Sequence, residues 1–122
     1  MALAMQWLYL SSILGPEVVH LIRHEDDALA VGAVNLLPFR RLDLVDGKAD
    51  LFVSTFALSE SPSSVQTDVA NRSWFGAKHL LLAYQTSNPV FPKWEGMERL
   101  AVQSGAAVLP MEQRPTDRYA FK

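Results

Sequence analysis

Apolar residues in this chain fall into short blocks whose spacing alternates between helical and extended. Leu3, Trp7, Leu10 and Leu14 recur at helical intervals, and Met5, Leu8 and Ile13 widen the stripe. The pattern predicts a helix from the N-terminus to Leu14, stopped by Gly15-Pro16. So apolar a helix is expected to be covered on most sides. It has no N-cap residue before Ala2, so the chain reads as starting inside an element. Glu17 to Arg23, EVVHLIR, predicts a strand through Val18, Val19, Leu21 and Ile22, with a charged loop from His24 to Asp27 at its carboxyl end. Ala33 to Pro38 predicts a second extended segment, Arg40 to Leu44 a single helical turn, and Asp46-Gly47 a reverse turn.

The stretch Ala49 to Glu60, ADLFVSTFALSE, is central. Leu51, Phe52 and Val53 form a continuous apolar run, which predicts a strand from Asp50 to Ser54 buried on both faces. Polar residues crowd its carboxyl end, where ligands sit in open α/β sheets. Ser61-Pro62 predicts a helix start, with serine as N-cap and proline in the first turn, running to about Phe75 and ended by Gly76. Val65, Val69, Trp74 and Phe75 mark its inner side. Lys78 to Gln85, KHLLLAYQ, predicts a second buried strand, and a Ser-, Asn- and Pro-containing loop follows to Pro92. Trp94, Met97, Leu100 and Ala101 predict a short amphipathic helix stopped by Gly105. Ala106 to Met111 and Arg118 to Phe121 predict a hairpin that turns around Arg114-Pro115-Thr116-Asp117. Strand, helix, strand, helix and hairpin together define an α/β class with an antiparallel ending.

Composition narrows the function classes. At 122 residues, 49% hydrophobic and 20% charged, the chain has the make-up of one globular domain. A net charge of -2 gives no electrostatic basis for binding nucleic acid or an anionic membrane. The lack of cysteine excludes disulfides, thiolate metal sites and cysteine nucleophiles. The apolar N-terminal stretch has no Lys or Arg before Arg23 and is too short to span a bilayer, so a cytoplasmic location is expected.

The ordered series VNLLP (Val34 to Pro38), DLFVSTFALSE (Asp50 to Glu60), WFGAKHLLLAYQ (Trp74 to Gln85) and LPMEQRPTDRYAF (Leu109 to Phe121) resembles the class I SAM-dependent methyltransferases. More narrowly, it is similar to the putative sugar O-methyltransferase family, and the helix LAMQWLYLSSILG is similar to the one after that family's second strand. The resemblance covers nearly the whole chain and matches the C-terminal part of the fold. It implies a partial Rossmann-like methyltransferase sheet, residues 1–122 forming one domain, whose seventh strand is antiparallel and hairpins with the sixth. The glycines at 15, 32, 47, 76, 96 and 105 stand singly, so the family's glycine-rich cofactor loop has no counterpart among these residues. The first strands are missing, and activity by this chain alone is not expected.

The resemblance implies S-adenosylmethionine as cofactor and a sugar or small-molecule hydroxyl as acceptor, with Glu60 as general base or acceptor-binding group. Alternatively, Glu60 favours the next helix through its negative charge. Ser54 and Thr55 are candidates for the cofactor pocket, or for ordinary hydrogen bonding at a strand end. Asn35 lies where the resemblance places a segment near the adenine, or it satisfies backbone groups in a turn. Tyr84 and Gln85 end their strand and are candidates to face the acceptor. Trp94 is a candidate to stack on a sugar ring, or a core aromatic. His24, at a strand's carboxyl end, is a second candidate base. His20 and His24 on a strand lie ~13 Å apart, too far to share a metal without a bend, so no metal is expected. His79 opens its strand and reads as structural. The Asn71-Arg72-Ser73 sequon falls in a helix of a chain expected to be cytosolic and is discounted. A reading of another class is a non-catalytic module that self-associates or binds a complementary chain through an exposed sheet edge and the first helix.

Overall fold

The computed structural model describes residues 2–86 and 95–122. It divides into two compact units, Met1–Val45 and Asp46–Lys122.

In the first unit, helix α1 spans Ala2–Leu14 and ends at Gly15, whose φ of 95° is one that L side chains rarely adopt. Pro16–Val18 forms a 3-10 turn, because the ring of Pro16 fixes φ in the helical range. The expected strand over Glu17 to Arg23 is therefore shortened to β1, Val19–Leu21. It pairs in parallel with β2, Val34–Leu36, and Ile22 N–H extends the ladder to Leu36 O at 3.0 Å. Val19 and Ile22 are buried. The broad covering expected for α1 is not observed, since Met5, Leu8, Tyr9 and Ile13 are exposed. Two three-residue strands can shield only one side of a 13-residue helix. Phe39–Val45 forms two 3-10 turns across a kink at Arg41, longer than the single turn expected.

The second unit holds a four-stranded mixed sheet. β3 (Leu51–Thr55) and β4 (His79–Gln85) run parallel, connected through α2 (Ser63–Asn71). After α3 (Glu95–Gln103), β5 (Ala107–Met111) and β6 (Arg114–Phe121) form an antiparallel hairpin. β6 also pairs antiparallel with β4, which gives the order β3-β4-β6-β5.

Within this unit, and among the described residues, α2 and α3 cover one face of the sheet. Leu80, Leu82, Tyr84 and Ala120 point into it and are almost fully buried, as are Val69 of α2 and Met97 and Ala101 of α3. Phe52 lies on this face beside Leu80 and meets Trp74 edge-on with ring centroids 5.4 Å apart. The expectation that the strand from Asp50 to Ser54 is buried on both faces is corrected, because Leu51 and Val53 are 54% and 52% exposed. Leu81 is likewise 44% exposed, so the first half of β4 is covered on one side only, whereas Leu82, Ala83 and Tyr84 are all buried.

Other expected boundaries also shift. α2 starts at Ser63 with Pro62 in the N-cap position and no side-chain cap bond, because the Ser61 hydroxyl instead donates to Ala57 O. The helix stops at Asn71 rather than near Phe75. Ser73, Trp74 and Phe75 all take positive φ, and with Gly76 they form a left-handed turn. Such residues cost about 1–3 kcal/mol each, and the surrounding contacts must hold them. Trp74 Nε1 donates to Ser104 Oγ at 2.6 Å, Phe75 stacks on Phe52, and Ala49 N–H donates to Phe75 O. The hairpin turns at Glu112-Gln113 rather than at Arg114 to Asp117, because β6 already begins at Arg114. Pro115 cannot donate to the ladder, and the register breaks between Pro110 and Met111.

Gly76 has φ of 85°, and a Cβ there would lie 2.7 Å from Gly47 Cα. Gly76→Ala is expected to destabilise the fold by about 2 kcal/mol or more, from strain and overlap with backbone that cannot rotate away. Urea denaturation followed by circular dichroism measures this. An unchanged midpoint would contradict the close approach of the two glycines.

Candidate functional site

The polar residues that follow β3 are held in a fixed loop. Phe56 N–H donates to Ala83 O at 2.7 Å, which extends the β3–β4 ladder by one residue. The chain then reverses through Phe56 at φ 66°, and Ala57 N–H returns to Thr55 O at 2.9 Å. A bond from i+2 to i around a positive-φ residue is the strained form of γ-turn, rare for a bulky side chain. The loop beyond it is pinned by side chains. Ser54 Oγ accepts from Leu58 N–H at 3.1 Å, and buried Ser59 donates to Phe56 O at 2.8 Å. Gln66 of α2 is buried and its amide donates to Ser61 O at 2.9 Å. Glu60 projects from this loop exposed, with its own N–H bonded to Phe56 O.

The antiparallel direction of β6 brings its first residues to the same edge. Tyr84 pairs with Arg118 and Gln85 with Asp117, and Thr86 N–H donates to Thr116 O. Asp117 is 1% exposed, and its carboxylate lies 2.8 Å from Arg114 Nε. The Arg114 guanidinium also sits 5.3 Å from the Phe56 ring centroid, a cation–π distance. One arginine thus joins the hairpin turn to the strained turn after β3.

Tyr84 is the most enclosed of the expected residues. It is fully buried, and its hydroxyl has no hydrogen-bond partner among the described residues. Loss of hydration pushes its pKa up to about 12, with Glu98 of α3 adding to the rise and Arg118 opposing it. Arg118 Nε and Glu98 Oε2 are 4.0 Å apart.

The expected site residues therefore fall into two sets. Ser54, Thr55, Glu60, Tyr84 and Gln85 share the carboxyl edge of β3 and β4, and Trp94 lies outside the described residues. Asn35 and His24 belong to the first unit. The Asn35 carboxamide is engaged within its own loop, accepting from Ala30 N–H and donating to Ala30 O and Ala33 O. It thus satisfies backbone groups of its own loop. His24 lines a cavity of about 480 Å³ with Trp7, His20, Arg23 and Asp27. The backbone N–H groups of His24 and Arg23 hold the Asp27 carboxyl below the usual carboxylate range. Among the described residues no group of three His, Asp or Glu is placed to hold a metal ion, and no helix is long and apolar enough to cross a membrane.

Sequence reasoning missed Phe56, Arg114, Asp117 and Gln66. For Phe56, the only local signal was a bulky residue immediately after a strand end. Reading PTD as a turn hid the burial of Asp117.

The chain is a small mixed α/β domain whose four-stranded sheet ends in antiparallel strands. It matches no protein-family model, no curated protein and no solved structure.

Because the Tyr84 hydroxyl is buried without a partner among the described residues, Tyr84→Phe is expected to change stability at neutral pH by less than about 1 kcal/mol, or to raise it. The alkaline limb is different. The unfolded tyrosine ionises near 10.0 and the folded one near 12, so its contribution to stability is complete below pH 10 and is lost as pH rises through 12. Tyr84→Phe should remove that part of the alkaline decline. Absorbance titration of tyrosinate together with denaturation at several pH values measures both effects. Tyrosinate forming at an ordinary pH for all three tyrosines would contradict the buried hydroxyl.

A second expectation concerns Arg114. Arg114→Met leaves the Asp117 carboxylate buried without its ion pair and should cost about 1–3 kcal/mol, less than a fully enclosed pair because Arg114 is 59% exposed. Adding Asp117→Asn should restore part of the loss, and a double-mutant cycle by chemical denaturation separates the terms.

Proposed function

We propose that this chain is the C-terminal part of a class I SAM-dependent O-methyltransferase acting on a hydroxyl of a sugar or similar small molecule. The observation that carries the reading is the second unit's sheet. A parallel strand–helix–strand is followed by an antiparallel last strand that hairpins with the strand before it, in the order of the quoted motifs. Further support comes from the polar residues gathered at the carboxyl edge, the usual ligand side of open α/β sheets.

The residues present fit an acceptor wall better than a full cofactor cradle. Ser54 keeps its hydroxyl proton available while its oxygen accepts from Leu58, and Thr55 is exposed beside it. These two are the groups that would face a bound cofactor. The Asn35 carboxamide is occupied by its loop, and the glycine-rich loop has no counterpart among these residues. When bound, the cofactor supplies an electrophilic methyl group on sulfur. Glu60 would take the acceptor's hydroxyl proton, which makes that oxygen the nucleophile. The rigid γ-turn at Phe56 fixes the loop that carries Glu60, and Gln85 lies along the same edge to orient the acceptor.

The test is calorimetry of this polypeptide with SAM and with its demethylated product, together with the DNA sequence immediately upstream of the Met1 codon. An open frame encoding a glycine-rich strand–loop–helix supports the reading. A stop codon there, with no heat of binding, overturns the enzymatic role for this polypeptide. In the polypeptide that binds, Glu60→Gln should lower kcat ~10²–10⁴-fold with cofactor affinity unchanged.

A further inference from the structure

The face of the four-stranded sheet opposite α2 and α3 is apolar and open. Leu51, Val53, Leu81, Leu109, Tyr119 and Phe121 lie on it at 54, 52, 44, 51, 47 and 45% exposure. The register makes them one patch. Val53 pairs with Leu81, Leu81 with Phe121, and Tyr119 with Leu109, so the patch crosses all four strands. Thr55, Ala107, the exposed His79 and the buried Ala83 share the face, and the Asp117 carboxylate at its margin is buried and paired with Arg114.

We propose that this face is the seat of a second copy of the chain, packed sheet to sheet across a two-fold axis. The area sets the argument. Aromatic side chains bury some 150–250 Å² each and Leu and Val somewhat less, so six such residues at about half exposure leave roughly 500–600 Å² open. That is the upper end of what a monomer normally exposes. A two-fold contact removes the patch from both copies, about 1,000–1,200 Å² in all, which reaches the lower bound of specific interfaces. A two-fold axis needs only one self-complementary patch, and the six large side chains carry no charge to repel their own copy or to select a charged partner. Two such faces stack ~10 Å apart with interdigitating side chains, as sheets in sandwiches do. The proposal concerns the sheet's face rather than its edge, and it does not depend on the methyltransferase reading.

The chain contains no cysteine, which makes cross-linking clean. Light scattering on a sizing column at tens of micromolar should give twice the 13.6 kDa chain mass. Leu81→Cys, near the centre of the patch, should form a disulfide-linked dimer under mild oxidation. Val102→Cys, exposed on α3, should not. Leu81→Arg should weaken association at least about tenfold with an unchanged circular dichroism spectrum. If that variant fails to fold, the milder Tyr119→Ser takes its place with the same expectation. A monomeric wild-type chain overturns the proposal. So does a dimer that survives both substitutions or cross-links equally through Val102→Cys. Disulfides between mixed Leu8→Cys and Leu81→Cys chains would assign the face to α1 and overturn it as well.

Discussion

Everything in the second unit depends on the layer between β4 and the helix pair. Leu80, Leu82 and Tyr84 alternate inward along the strand and are almost completely enclosed. Each of the leucines contributes about 1.5–3 kcal/mol by burial. Because strand side chains alternate with a period of two, fixing these three residues inward fixes Leu81 and Ala83 outward. The register then carries the choice across the sheet, to Phe52 on one side and to Ala120 on the other.

The same layer explains why the left-handed turn after α2 persists. Three non-glycine residues at positive φ would not hold that shape alone. Trp74 is anchored at its indole N–H by Ser104, beyond the end of α3, and at its ring by Phe52. One side chain therefore ties together both helices and β3, and the strain at the turn is offset by contacts distant in sequence. At the other end of the sheet, Phe56 is strained singly and stabilised by Arg114 of β6. Both strained turns flank β3, and each is held by an aromatic ring that meets a partner from a later element.

This division describes what could be read from the sequence. The helix stops at Gly15 and Gly105 were legible, because glycine reaches positive φ without penalty. So was the extended run from His79 to Gln85, and so were the hairpin and the parallel strand–helix–strand. The one-sided covering of β3 was not, since LFV has the same appearance whether one face or two are buried. Nor were the positive φ values of Ser73, Trp74 and Phe75, where tertiary contacts override local preference. The hairpin turn was misplaced because Pro115-Thr116-Asp117 has strong turn chemistry, yet here it forms the irregular start of a strand. At the candidate site, the strand-end residues were legible from the fold rule alone. Arg114 and Asp117 were not, because their position depends on β6 lying between β4 and β5.

That insertion links the candidate site to the bare sheet face. Running antiparallel, β6 brings Arg114 to Arg118 to the carboxyl edge of β4, giving the edge charged groups that the two parallel strand ends lack. The alternation that follows turns Ala120 into the core and leaves Tyr119 and Phe121 outside. A sheet with water on one face normally reads apolar inward and polar outward. Here polar residues at 51, 53, 81, 109, 119 and 121 would have left the helix-covered core untouched, yet all six are large and apolar. The core does not require that composition, so the bare face answers to a contact of its own.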